Sequence, residues 1–277
     1  LAALTRHGCN SGGCHGAPSG KGGFRLSLWA YDHELDGETL TREFAARRVN
    51  LFSPQQSLIL RKPLMKVPHG GGLRLHTHDA GYKLLRDWIS QGSRQEGEDH
   101  AHCVKIEVFP GGRQLWLPDA NQQLSVNAYF SDGTIRDVTT LVLYSSSDDT
   151  IATVSDGGLV EPSASGETAI LVRYLEKATT VRLAFVAPRQ DFSWQTPPPS
   201  NEVDQLVFAK LKTMQILPSG VSSDEQFLRR VYFDVTGVPP TVDQARAFLA
   251  DESTDKRSRL IDELLKSPDY AAWWANK

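Results

Sequence analysis

The period of the hydrophobic residues changes twice along this chain, and that limits what it can fold into. Tyr82, Leu85 and Ile89 recur at helical spacing. Further on the period falls to two, in Val104-Lys-Ile-Glu-Val-Phe109, Gln123-Leu-Ser-Val-Asn-Ala-Tyr-Phe130, Ala169-Ile-Leu-Val-Arg-Tyr174 and Thr179-Thr-Val-Arg-Leu-Ala-Phe-Val186. Helical spacing returns in Val203, Leu206, Val207, Leu211 and Met214. One segment cannot present an apolar face at both periods. The chain is therefore expected to be multidomain: a small all-α part at 1–97, an all-β part at 103–187 and an incomplete all-α part at 201–277. A polar linker at 93–102 and a stiff proline-rich linker at 188–200 would separate them.

The 277 residues suffice for two or three domains. A net charge of −3 gives no global field to draw in nucleic acid or an anionic membrane. No apolar run is long enough for a membrane-spanning helix. The chain starts at Leu1 and stops within Tyr270-Ala-Ala-Trp-Trp-Ala-Asn-Lys277 with no helix cap. It reads as a fragment of a longer, exported protein whose signal lies outside it.

Cys9-Asn-Ser-Gly-Gly-Cys14-His15-Gly16 carries the chemistry of the first part. Two cysteines followed at once by a histidine is the arrangement that attaches c-type haem: both thiols add to porphyrin vinyl groups and the imidazole sits under the iron. Four residues separate the cysteines here, where two are usual. Gly12 and Gly13 could let the wider loop bulge through φ > 0. Two other readings stand beside haem. The cysteines could close a disulfide loop, or bind a metal with His15 and a fourth ligand, although no second Cys/His pair has zinc-finger spacing. Cys103 is left over.

Around this motif the spacing predicts a helix ending near His7, a glycine-rich loop at 16–23 and a helix over 38–49 bearing Arg42, Arg47 and Arg48. A short helix from Ser53-Pro54 through Leu60 would follow, then a Pro/His/Gly loop and a final helix to Gly92. The glycine-rich loop could pass close to a flat cofactor, and one or two of the arginines could pair with its carboxylates. The loop Lys62-Pro-Leu-Met65-Lys-Val-Pro-His69-Gly-Gly-Gly72 offers two distal iron ligands, His69 and Met65. His69 is preferred, because a histidine between Pro68 and three glycines is an unnatural core residue. His76 and His78 are expected to be exposed.

Cys9–Gly16, Gly20-Lys-Gly-Gly-Phe24, Leu26-Ser-Leu28, Tyr31-Asp32, Arg47-Arg-Val-Asn50, Lys62-Pro63, Pro68-His-Gly-Gly71 and Trp88-Ile89 with Gly92 occur in order. Together they resemble the planctomycete-type cytochrome c domain, found near the N-terminus of large exported proteins. The resemblance covers about 1–95. It implies a small all-α cytochrome-c-like domain, haem c (iron) attached to Cys9 and Cys14, and His15 as proximal ligand.

In the second part, turns fall at Pro110-Gly-Gly112, Ser131-Asp-Gly133 and Ser155-Asp-Gly-Gly158, as in a β-sandwich. Tyr129-Phe-Ser-Asp-Gly-Thr-Ile-Arg-Asp-Val-Thr139, Ile151-Ala-Thr-Val154 and Gly166-Glu-Thr-Ala-Ile170 resemble the bacterial Ig-like domain of group 2. A spacer role is expected, with Asp132, Asp137, Asp148 and Asp149 as turn residues. His100, His102 and Cys103 could bind a metal only adventitiously.

In the third part Ser222-Ser-Asp-Glu225 reads as a capping box, and Thr241 as the cap of a third helix. Leu206-Val-Phe-Ala-Lys-Leu211, Phe227-Leu-Arg-Arg-Val-Tyr-Phe-Asp-Val-Thr-Gly237 and Leu260-Ile-Asp262 look like an uncharacterised helical domain that accompanies the planctomycete cytochrome. Asp234 beside Arg229 and Arg230 reads as a structural ion pair.

The expected function is an exported haem c protein, in periplasm or at the cell surface, passing one electron to an unknown redox partner. The alternatives are a cell-surface or scaffold Ig-like protein with a Cys9–Cys14 disulfide and a surface or polysaccharide partner, or an enzyme whose active site lies outside this chain. No catalytic constellation is visible.

Overall fold

The computed structural model describes residues 1–95, 101–195 and 197–277. It has N-terminal helices, a central β-sandwich region and C-terminal helices. Residues Leu1–Gln195 and Pro199–Ile216 form one compact unit, and Leu217–Lys277 form the body of a second. His100 and part of each expected linker lie outside the described residues.

The first 95 residues are mostly irregular. Four α-helices occur, α1 (Ala2–Arg6), α2 (His33–Thr41), α3 (Leu58–Arg61) and α4 (Ala80–Ser90), with 3-10 turns at Leu28–Ala30 and Pro54–Gln56. Tyr82, Leu85 and Ile89 of α4 pack against Leu4, Leu26, Leu60 and Leu75. Asp32 starts α2 by accepting the Leu35 N–H at 3.0 Å. The helix expected over 38–49 stops at Thr41, because Phe44, Ala45 and Ala46 all take positive φ, at 52°, 55° and 57°. Side chains disfavour that region by about 1 kcal/mol or more each, so tertiary packing holds this turn. The expected small all-α cytochrome-c-like domain is corrected here: short helices in long loops pack in one compact unit with the sandwich, and no cytochrome-like fold is shown.

Ten strands follow: β1 (Cys103–Phe109), β2 (Arg113–Trp116), β3 (Gln122–Gln123), β4 (Ser125–Phe130), β5 (Ile135–Asp137), β6 (Leu143–Ser146), β7 (Ala152–Val154), β8 (Leu159–Pro162), β9 (Gly166–Tyr174) and β10 (Lys177–Val186). They form sheets ordered β1-β4-β5, β2-β10-β9-β6 and β3-β8-β7. The β9–β10 hairpin is in continuous antiparallel register from Tyr174↔Lys177 to Gly166↔Phe185, while β2 pairs with β10 in parallel. Ile170, Val172, Leu183, Phe185, Val126 and Leu124 are fully buried at its centre. Each such side chain contributes about 1.5–3 kcal/mol by leaving water. Asp132 and Asp148 accept from Thr134 and Thr150 two residues on, as turn residues do.

Helix α1 also reaches the sandwich. The Arg6 guanidinium, nearly buried, meets Asp156 at 3.0 Å, and the Arg173 guanidinium lies 4.7 Å over the Trp29 ring. Helix α5 (Glu202–Thr213) follows, capped by Asn201. Its Lys210 pairs with Glu167, but Val203, Leu206 and Val207 are exposed rather than in a core.

The second unit holds α6 (Asp224–Thr236), α7 (Val242–Ala250), α8 (Lys256–Leu265) and α9 (Pro268–Asn276). Leu228, Val231, Tyr232, Phe248, Leu260 and Leu264 make its core. The capping box falls one residue later than expected, on Ser223 and Gln226, and Thr241 with Gln244 forms a second. Its ion pairs include Asp224 with Lys256 (2.7 Å) and Arg257 (2.6 Å), and Arg259 with Asp251 and with Asp255 (3.6 Å). Among the described residues, Asp234 forms none with Arg229 or Arg230. No helix among the described residues is long and apolar enough to cross a membrane.

Candidate functional site

The site grows from the loop after α1. Cys9 N–H donates to Leu4 O, Cys14 N–H to Ser11 O, His15 N–H to Cys9 O and Gly16 N–H to Ser11 O, at 2.9–3.0 Å. The loop is thus closed on itself. Gly12 and Gly13, expected to supply positive φ, do not; Gly8 does, at 67°. The glycine that the loop requires is Gly16, where any Cβ would overlap the Asn10 carbonyl. A second tight turn, at 20–24, lies alongside. Lys21 and Phe24 exchange backbone hydrogen bonds, and Gly20 has φ 62° with no room for a Cβ beside Phe24 O.

These turns open onto a cavity of about 500 Å³, within the usual range of ligand sites. Cys9, Cys14, His15 and His69 all line it. Met65 does not line it; its side chain is about half exposed. The two imidazoles are oriented alike. His15 Nδ1 lies 2.9 Å from Phe24 O, and His69 Nδ1 lies 2.8 Å from Gly72 O. A carbonyl only accepts, so each Nδ1 carries a hydrogen. The ring centroids are 6.4 Å apart and the planes differ by 15°. That is beyond ring contact.

Burial holds the His15 pKa below the ordinary imidazole range, and the Phe24 carbonyl only partly opposes this. Burial therefore favours the uncharged form of the His15 imidazole. Burial, with a smaller contribution from Cys14, pushes the Cys9 thiol up to about 11. Both thiols are free, which corrects the expected alternative of a Cys9–Cys14 disulfide. Among the described residues no group of three or more His, Cys, Asp or Glu could hold a metal ion. A protein-only metal centre is not built here.

The rim is cationic. Lys21, Arg47, Arg48, Lys62 and Arg74 line the cavity. Arg42, the third arginine of the helix expected over 38–49, is not among them and pairs with Glu38 at 3.4 Å. His7 also lines the cavity, and sequence reasoning missed it. It follows α1 with no motif to mark it. Phe24 escaped notice as a site residue too: its ring lies 4.5 Å from His15. His76 and His78 are exposed, their rings 5.3 Å apart. His102 is exposed and Cys103 buried.

Comparison with known proteins bears on the other parts of the chain. The sandwich resembles a known domain. Residues 114–174 match the bacterial Ig-like domain (group 2), and residues 202–277 match PSCyt2, described as a protein of unknown function (DUF1549). No curated protein matches. Among solved structures, domains 4 and 5 of the S-layer protein SbsC superpose with a TM-score of 0.28 at 20% identity, covering 31% of this chain and 53% of that one. Domains 1–6 of SbsC give 0.29 at 21% identity, covering 35% and 14%. The chain thus spans about half of the first of these structures, and overlaps so small transfer neither fold nor role. The matched families describe an Ig-like domain and a region of unknown function, and neither describes an electron carrier. The expected account of a cytochrome c electron-transfer protein is corrected accordingly.

Proposed function

We propose that this chain belongs to a cell-surface or extracellular scaffold protein. Residues 103–187 would form its Ig-like module and 201–277 a helical domain, joined by the proline-rich segment 188–200. The observation that supports this is the match of the sandwich to bacterial Ig-like domains. Such a β-sandwich presents loops at both ends while its core stays closed. The partner would be another surface component, protein or polysaccharide. Protease shaving of intact source cells tests the reading: release of peptides from 103–187 supports it, and protection until the cells are lysed overturns it.

A second reading concerns residues 1–97, where the cavity geometry favours a haem c cofactor. Its support is the pair of Nδ1-anchored imidazoles 6.4 Å apart beside two free thiols. In this reading Cys9 and Cys14 would hold the porphyrin through thioethers. His15 and His69 would ligate its iron. Arg47 and Arg74 of the cationic rim would pair with its acidic groups. When bound, the group supplies an iron centre whose potential is set by its two imidazoles and by burial. Expression with c-haem maturation machinery and a pyridine haemochrome spectrum test it. Haem that survives denaturation, and is lost in Cys9→Ala/Cys14→Ala, supports the reading. A chain that leaves the host without covalent haem refutes it.

A further inference from the structure

Arg48 is the most deeply buried cation of the cavity wall, at 7% exposure. Its guanidinium donates to Thr39 O at 2.5 Å and to Gly23 O at 2.8 Å, and pairs with Glu43 at 3.2 Å. Its Cζ lies 4.7 Å over the Phe24 ring. Phe24 is the residue whose carbonyl takes the His15 Nδ1 hydrogen and whose ring lies against the imidazole. One buried fork thus holds the peptide before Phe24 and covers the Phe24 side chain.

We infer that Arg48 is a positioning residue for His15: by pinning Gly23 and Phe24 it fixes the Phe24 carbonyl, and with it the His15 tautomer that carries its hydrogen on Nδ1. Charge alone would not do this. A planar guanidinium reaches two carbonyls and a carboxylate at once, whereas a lysine ammonium is a single point. The inference deepens the cofactor reading and rests on it for its purpose, but the tautomer can be measured without any cofactor.

The test uses the full chain with ¹⁵N-labelled histidine, with no haem added. In the unaltered protein His15 should give the nitrogen shifts of an Nδ1–H imidazole. Arg48→Met keeps side-chain length but removes the fork. It should shift the tautomer ratio toward Nε2–H by roughly fivefold, the equivalent of one ordinary hydrogen bond, and leave His69 unchanged. Glu43→Gln removes the ion partner but not the Gly23 contact, and should leave both histidines alone. If Arg48→Met does not fold, Arg48→Lys takes its place and should show the same His15 shift. Unchanged His15 shifts in the folded variant, or equal shifts at His15 and His69, would overturn the inference. Haem uptake by the unaltered chain is scored separately: its absence would refute the cofactor reading while the tautomer result still decides the role of Arg48.

Discussion

His15 and His69 are 54 residues apart in the chain, yet their rings lie 6.4 Å from each other with planes 15° apart. Each donates its Nδ1 hydrogen to the carbonyl of a glycine-rich turn. That approach across one cavity leads to the first prediction, which rests on the haem reading. In chain loaded with haem, Met65→Ala should leave the low-spin absorption spectrum unchanged. His69→Ala should convert it to high spin. The reverse pattern would assign the distal position to Met65 and remove His69 from the site.

Thiol chemistry gives the second. With its pKa pushed to about 11 by burial, Cys9 is protonated at neutral pH. The thiolate is the reactive form. Alkylation of Cys9 by iodoacetamide in cofactor-free protein should therefore be slow at pH 7 and rise roughly tenfold per pH unit up to the pKa. Peptide mass spectrometry reads the rate. Alkylation at pH 7 as fast as that of a free cysteine would show that the thiol is not buried as described.

The third concerns acid. Burial lowers the pKa of His15 and, together with Arg6, that of His7 below the ordinary 6.5. Between the folded and unfolded values the unfolded chain binds more protons. The stability present above 6.5 is therefore lost as pH falls through 6.5 toward the folded values. Asp36 acts in the opposite direction: burial raises its pKa, so acidification through the folded value relieves a cost, in the carboxylate range. The urea midpoint of the first unit should fall from about pH 7.5 to about pH 5.5, and His15→Gln should flatten that slope. A midpoint that rises over this interval would contradict the assignment.

The fourth lies in the second unit. Gly237 ends α6 with φ 73°, and a Cβ there would overlap the Trp273 ring. Gly237→Ala should destabilise this unit by about 2–4 kcal/mol, combining positive-φ strain with steric overlap. Loss of helix on heating, followed by far-UV circular dichroism, measures it. A melting curve superposable on that of the unaltered protein would mean that α9 does not pack on Gly237.

How much of this was legible in the sequence varies by element. The helix–sandwich–helix order follows from hydrophobic period, because a buried face needs its apolar residues at 3.6 or 2.0 spacing wherever it ends up. The turns at Asp132 and Asp148 were readable for a similar reason: each side chain serves a backbone group two residues away. The helix over 38–49 was misplaced because local propensity opposes the left-handed turn at Phe44–Ala46, and only packing can impose it. The apolar side of α5 was legible but its exposure was not, since spacing shows that a face exists and not whether anything covers it.

The cavity shows the same division. By itself the sequence determined the donor types: two thiols, His15 beside them, and His69 in a glycine loop. Only the tertiary structure decided that these four line one cavity while Met65 stays out of it, that His7 joins them, and that Arg48 reaches Gly23 and Phe24. Donor identity is a covalent property of single residues. Which donors meet depends on loop closures and on a buried guanidinium linking segments 25 residues apart, and these form only when the whole unit packs.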